Sequence, residues 1–183
     1  MKKSYYIYLF IALFSCGERH DYTTEVKVLG SELEKVKELE KDLNQIDSSK
    51  VVKMHFDYLR VIKIFRTKYT SDTIDDANLG RRMNLYKGLK HTKGFPFQKV
   101  RFNKEIVNTT NQLENLIHDL EQDVINPDSV KVYIDMELKA SKFLISELQS
   151  YTEYINNQIN IYDSLNHKLQ TFVDSLIREN ENF

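Results

Sequence analysis

A chain of 183 residues can bury one sizeable core, and 41% hydrophobic residues supply it, which excludes wholesale disorder. Five glycines and two prolines are too few for a turn-rich all-β fold. A formal net charge of −1 implies no strongly acidic or basic partner overall, and a single cysteine excludes an intramolecular disulfide and any cysteine-based zinc site.

The chain opens on Lys2 and Lys3, followed by an apolar run from Tyr5 to Phe14 and then Ser15, Cys16 and Gly17. A basic start, a short apolar stretch and small residues after it are the parts of an export signal, too short for the ~20 residues that span a bilayer. Leu13-Phe14-Ser15-Cys16 resembles the lipobox of bacterial lipoproteins, with the sole cysteine at the acylated position. The resemblance implies that residues 1–15 are a signal peptide, that Cys16 carries lipid, and that the protein reaches the membrane through that lipid. It implies the bacterial cell envelope as the address. Gly17, in place of the aspartate that marks inner-membrane retention in some bacteria, favours the outer membrane. One acyl chain holds a protein marginally, whereas several, at ~0.8 kcal/mol per buried methylene, anchor it stably. Residues 16–24 then form the acylated cysteine and a tether, because Gly17 to Thr24 is polar and without periodicity.

Residues 25–183 read as a single helical domain. A first helix starts near Thr23 or Thr24, with Val26, Leu29, Leu33, Val36, Leu39, Leu43 and Ile46 at helical spacing. Asp47-Ser48-Ser49 supplies cap-type residues and predicts a break or kink. A second helix follows, with Val52, His55, Leu59, Ile62, Phe65 and Tyr69 on its predicted inner face. Thr70 to Asp76 reads as a polar loop and Asn78 to His91 as a short helix. Lys93-Gly94-Phe95-Pro96-Phe97 carries the strongest loop signal in the chain. A further helix from Asn103 has Ile106, Thr110, Leu113, Leu116 or Ile117, Leu120 and Val124 in phase.

Asn126-Pro127-Asp128-Ser129 opens the last helix, with a capping amide, proline in the first turn and an acid at the positive end of the helix dipole. No Gly or Pro occurs after Pro127, and Leu144, Leu148, Tyr151, Ile155, Ile159, Tyr162, Leu165, Leu169, Phe172 and Leu176 form one apolar stripe. Unbroken, that helix runs roughly 50 residues and about 75 Å. A helix twice as long as its partners should overhang them or break. Asn156-Asn157-Gln158-Ile159-Asn160, poor in helix propensity, is the predicted break. The expected fold is all-α: an elongated antiparallel helical bundle or coiled-coil hairpin with one long C-terminal helix.

No catalytic constellation accompanies this pattern. Glu-x-x-His pairs of the di-iron bundles, Gly-rich phosphate loops, nucleophile elbows and His-Glu-x-x-His are all missing from the sequence. Glu114, His118 and Glu121 share a helix face, a trio more often an exposed polar edge than a metal site. The chain is therefore expected to be no enzyme and to need no metal or cofactor.

One charge asymmetry stands out. Arg81, Arg82, Lys87, Lys90, Lys93, Lys99, Arg101 and Lys104 carry eight positive charges with no acid among them, whereas from Glu105 onward fourteen acids face five bases. Such a segment, with Tyr86, Phe95, Phe97 and Phe102 interleaved, suits anionic lipid or polymer, or it is opposed by acids of the long helix. The internal opposition is the favoured expectation, and an exported protein is not expected to meet nucleic acid. The functional expectation is a lipid-anchored envelope protein whose bundle contacts another envelope protein, with anionic envelope lipid or polymer as the alternative partner.

Overall fold

The computed structural model describes residues 20–69 and 77–181. Its regular elements are α1 (Thr23–Gln45), α2 (Ser48–Lys68), α3 (Ala77–Tyr86), a 3₁₀ segment (Lys87–Gly94), α4 (Phe95–Glu121) and α5 (Pro127–Glu181), with no strand among the described residues. The all-α bundle with a long C-terminal helix is the observed architecture. The predicted Thr70–Asp76 loop lies outside the described residues.

α1 buries Leu29, Leu33, Val36 and Leu43, the phase expected from the sequence. The break at the serines is present. Ile46 leaves the helix in extended backbone, and Asp47 caps α2 by accepting the Ser49 N–H at 2.8 Å. The inner face of α2 is rotated from the predicted one. Val51, Met54, His55, Tyr58, Val61 and Ile62 are buried, while Leu59 is 45% exposed. The rotation arises because α2 packs on two neighbours at once, α5 and the 3₁₀ segment. Tyr58 meets Tyr86 with ring centroids 6.2 Å apart.

The stretch expected to be the clearest loop is instead the start of α4. Its proline lies in the first turn, where a missing N–H costs nothing. Phe95 is fully buried and stacks on Tyr151, which fixes the helix start eight residues before Asn103. At its other end α4 closes in a Schellman motif. Val124 N–H donates to the Asp119 carbonyl and Asp123 N–H to the Leu120 carbonyl, both at 3.1 Å, with Asp123 at φ 53° where glycine is usual. Val124, predicted to be in phase with the core, is 68% exposed beyond the helix.

Asn126 starts α5 as expected, its side chain accepting the Asp128 N–H at 3.0 Å. The predicted break at Asn156–Asn160 does not occur, and α5 continues for 55 residues, about 82 Å. Asn156, Asn157 and Asn160 point outward, while Ile155 is fully buried and Gln158 is 5% exposed. Each asparagine costs a few tenths of a kcal/mol in propensity, whereas burying an isoleucine returns ~1.5–3 kcal/mol. Packing decides the outcome.

The shorter helices make up the length of α5 by standing end to end. α1 and α2 run parallel to it: Lys50 pairs with Asp163 and, further on, Arg60 with Asp174. α3, the 3₁₀ segment and α4 return antiparallel, with Tyr86 on Asn166, Tyr154 Oη on the Gly88 carbonyl and Arg101 on Glu147. The breaks in these two columns adjoin, because Lys99 Nζ on α4 donates to the Asn44 and Ile46 carbonyls at the end of α1, at 3.3 and 2.9 Å.

Two apolar clusters lie along this column. Leu29, Leu33, Leu113, Leu116, Leu120, Val130 and Ile134 form one near the chain's entry. A larger one runs from Val36, Ile106 and Leu144 to Val173. Between them in sequence stand two buried polar residues, Thr109 on α4 and Ser141 on α5, while Glu32 on α1 is buried beside Leu33 of the first cluster.

Candidate functional site

The eight basic residues do not form one patch. Arg81 and Arg82 are on α3, Lys87, Lys90 and Lys93 on the 3₁₀ segment, and Lys99, Arg101 and Lys104 on α4. Lys99 is spent on the carbonyls that end α1, a cation where the helix dipole is negative. Arg101 reaches Glu147 of α5 at 3.3 Å and Glu105 at 3.7 Å, and lies 4.4 Å from the Phe102 ring centroid. Lys87 donates to Asn84 Oδ1 at 3.1 Å. Arg101 is thus where the basic segment meets an acid of the long helix. Two other acids of α5 pair with cations of α2, at Lys50–Asp163 and Arg60–Asp174.

The 3₁₀ segment separates two clefts, and His91 lines both. It sits close on α5 because Gly88 has no side chain: a Cβ there would lie 2.5 Å from Gln158 Oε1. On the α4 side, a cleft of about 680 Å³ is lined by Gln98, Phe102, Ser150, Tyr151 and Tyr154, with Arg101 and Glu147 neutralising each other. On the α2–α3 side, a second cleft of about 590 Å³ has a floor of Tyr58, Ile62, Phe65 and Met83. Its rim carries Arg66, Lys87, Lys90 and His91, and among the described residues no carboxylate lines it. The two differ in charge rather than size.

Behind the cationic cleft, a polar network joins α2, α3 and α5. Asp57 accepts from Lys53 Nζ at 2.5 Å and from Tyr162 Oη at 2.5 Å, while Lys53 also reaches Tyr162 Oη at 3.0 Å. Asn166 Nδ2 lies 3.4 Å from Asp57, and Tyr86 Oη donates to Asn166 Oδ1 at 2.6 Å. Gln170 extends the chain to Arg60, which holds Asp174 at 2.6 Å. Burial pushes the Asp57 carboxyl up, but the hydrogen bonds from Lys53 and Tyr162 and the lysine charge outweigh it and hold it below its usual value. The hydrogen bonds to Asp57 and Tyr162 raise Lys53 to about 12. Burial, then the Asp57 charge, pushes the Tyr86 hydroxyl well up. This cluster ties the three helices together. It fixes register, since each residue meets partners on a different helix.

Cys16 lies outside the described residues. The described chain begins beside the α4–α5 turn: the His20 N–H donates to Asp123 Oδ2 at 3.1 Å, and His20 Nδ1 is 3.4 Å from Asp123 Oδ1. Asp123 thus ends α4 and holds His20 to the bundle. Of the Glu114, His118 and Glu121 trio, Glu114 is paired with Lys37 of α1 at 2.9 Å. Among the described residues no group of three His, Cys, Asp or Glu side chains is arranged to hold a metal, and no helix is long and apolar enough to cross a membrane.

Sequence reasoning missed Arg66, which joins the rim from α2, and the Asp57–Tyr162 contact. Tyr162 and Asn166 at core phases of α5 were the available signal for the latter. Comparison with protein families, curated proteins and solved structures finds no match to this chain.

Proposed function

We propose that this protein is a lipid-anchored component of the bacterial cell envelope, favouring the outer membrane, whose helical bundle acts as a non-enzymatic module for binding another envelope protein. The observation that carries the reading is Leu13-Phe14-Ser15-Cys16 behind Lys2, Lys3 and an apolar run, with no other cysteine in the chain. The bundle supports it in two ways. The described chain enters at one end, at His20 and Asp123, so α5 reaches about 80 Å from the tether side. The outer face of α4 also exposes Phe97 at 74%, Val100 at 70% and Val107 at 53%, at helical spacing. Exposed apolar side chains on one face suit a protein partner.

Two measurements in the native host test this. Cys16→Ala is expected to leave an unprocessed or soluble product. A mature N-terminus beyond residue 17 without lipid mass would overturn the anchor. A photo-crosslinker at Phe97 or Val100 is expected to capture a discrete envelope protein that one at Lys168, on exposed α5, does not. Equal capture at all three would remove α4 as the contact.

A second reading, binding of anionic envelope lipid or polymer through Arg81 to Lys104, is favoured by the cationic cleft. It is separated from the first by retention on anionic vesicles.

A further inference from the structure

We propose that the cleft between α2, α3 and the 3₁₀ segment binds a single-chain amphiphile with an anionic head, a carboxylate or a phosphate on an acyl tail. The inference rests on the second reading for the class of ligand and replaces a diffuse basic surface with one site.

Three observations converge. The volume, about 590 Å³, lies within the ~300–1,000 Å³ of small-molecule sites. The floor is apolar and aromatic, Tyr58, Ile62, Phe65 and Met83, and suits a hydrocarbon. The rim is cationic: among the described residues Arg66, Lys87 and Lys90 make no ion pair, and Lys87 donates to the neutral Asn84 amide. Cations gathered at the mouth of an apolar concavity repel one another and focus a positive potential into it. An anion relieves that repulsion, and a tail on the anion covers the floor. A bare anion would leave the floor wet, and a neutral or cationic amphiphile would leave the rim unopposed. The neighbouring cleft on the α4 side is the internal control, because Glu147 already opposes the charge of Arg101 there.

The geometry also explains why these charges come from distant segments. Arg66 ends α2, whereas Lys87 and Lys90 stand on the 3₁₀ segment. Gly80 lines the cleft from α3 without a side chain. Replacing Gly80 with a larger residue is expected to narrow the cleft from α3 and to raise helix propensity.

The test is calorimetric titration of the full chain with dodecanoate and dodecyl phosphate below their critical micelle concentrations. Dodecyltrimethylammonium serves as the cationic control, and acetate and inorganic phosphate as heads without tails. Saturable binding of the anionic amphiphiles near one per chain is expected, with none for the cationic one or the bare heads. The ratio of dodecanoate to dodecyl phosphate affinity then tells which head is preferred. R66Q/K87Q/K90Q should weaken binding by about tenfold or more, since hydrogen bonds to charged groups are lost. Gly80→Leu should weaken it while leaving the rim intact. R81Q/R82Q/K93Q/K104Q removes charge outside the cleft: it should leave amphiphile binding unchanged while reducing retention on anionic phosphatidylglycerol vesicles if the diffuse surface reading holds. Vesicle retention unchanged in that variant therefore counts against the surface reading alone. Equal binding of the cationic amphiphile, or unchanged binding in both R66Q/K87Q/K90Q and Gly80→Leu with the helical spectrum intact, would overturn the cleft.

Discussion

The half of the bundle near the chain's entry and the half beyond the column breaks share α5 but use it differently. Near the entry, α1, α4 and α5 close over Leu29, Leu113, Leu120 and Ile134, an aliphatic interior. Beyond the breaks, α2, α3, the 3₁₀ segment and the start of α4 bring Tyr58, Tyr86 and Phe95 against α5, which adds Tyr162, and hydrogen bonds cross between helices. The 3₁₀ segment buries one narrow line of side chains three residues apart, Leu89 and Thr92 between Tyr86 and Phe95, and clefts lie on both sides of it. Regular packing gives one half its stability. Irregular packing gives the other half a surface with chemistry.

The largest effects should come from the aliphatic positions. Leu113→Ala in the near half and Ile155→Ala in the far half, both fully buried, should each cost about 2–5 kcal/mol by denaturant unfolding. A loss below about 0.5 kcal/mol at either would mean that half is loosely packed. Equal losses within one cooperative transition would show the halves to be a single unit.

A smaller effect, confined to the far half, should follow from breaking the network. Asp57→Asn weakens the bonds from Lys53 and Tyr162 and should cost about 1–3 kcal/mol. Because the folded-state pKa of Asp57 is depressed, its contribution is present above the unfolded value of about 3.9 and disappears as pH falls through the lower folded value. Because that of Lys53 is raised, its contribution is complete below about 10.4 and is lost as pH rises through about 12. Unfolding of wild type and Asp57→Asn across these limits should converge at the acid extreme. A constant difference down to the lowest pH would place the effect elsewhere.

A still smaller effect sits at the entry. Asp123→Gly relieves the positive φ by up to about 1 kcal/mol but releases His20, so stability should change little while amide protection at His20 falls. Protection unchanged at His20 would show that Asp123 does not hold that residue to the bundle. Least of all, the exposed Arg60–Asp174 pair should be worth under about 1 kcal/mol, as Asp174→Ala would measure. A larger loss would mean that the network transmits its stability out to the surface.

Much of the fold was legible because helical phase is a local property. Asn126-Pro127 marked the start of α5 through the capping of its first turn, and Asp47 marked the break between α1 and α2. The failures share a cause. Pro96 and Gly94 punctuate a loop and a helix start alike, and only the burial of Phe95 on Tyr151 decides between them. Val52 with Leu59, and Met54 with Tyr58, both satisfy helical spacing, so the neighbours of α2 chose the face. The asparagines of α5 advertise a break that a buried Ile155, through residues distant in sequence, overrides. The basic segment was legible as charge and illegible as a site. Its rim needs Arg66 from another helix, and Lys99 and Arg101 are engaged by the end of α1 and by α5.

Both halves of the bundle are built on α5 and depend on its running unbroken past Asn156–Asn160. A spin-label distance between Lys139→Cys and Lys168→Cys, both exposed on α5, in a Cys16→Ala background tests this most directly. A continuous helix gives one narrow distribution near 44 Å, 29 residues at about 1.5 Å each. A broad distribution, or one centred well below that value, would mean the helix breaks at the asparagines and the two halves do not share a spine.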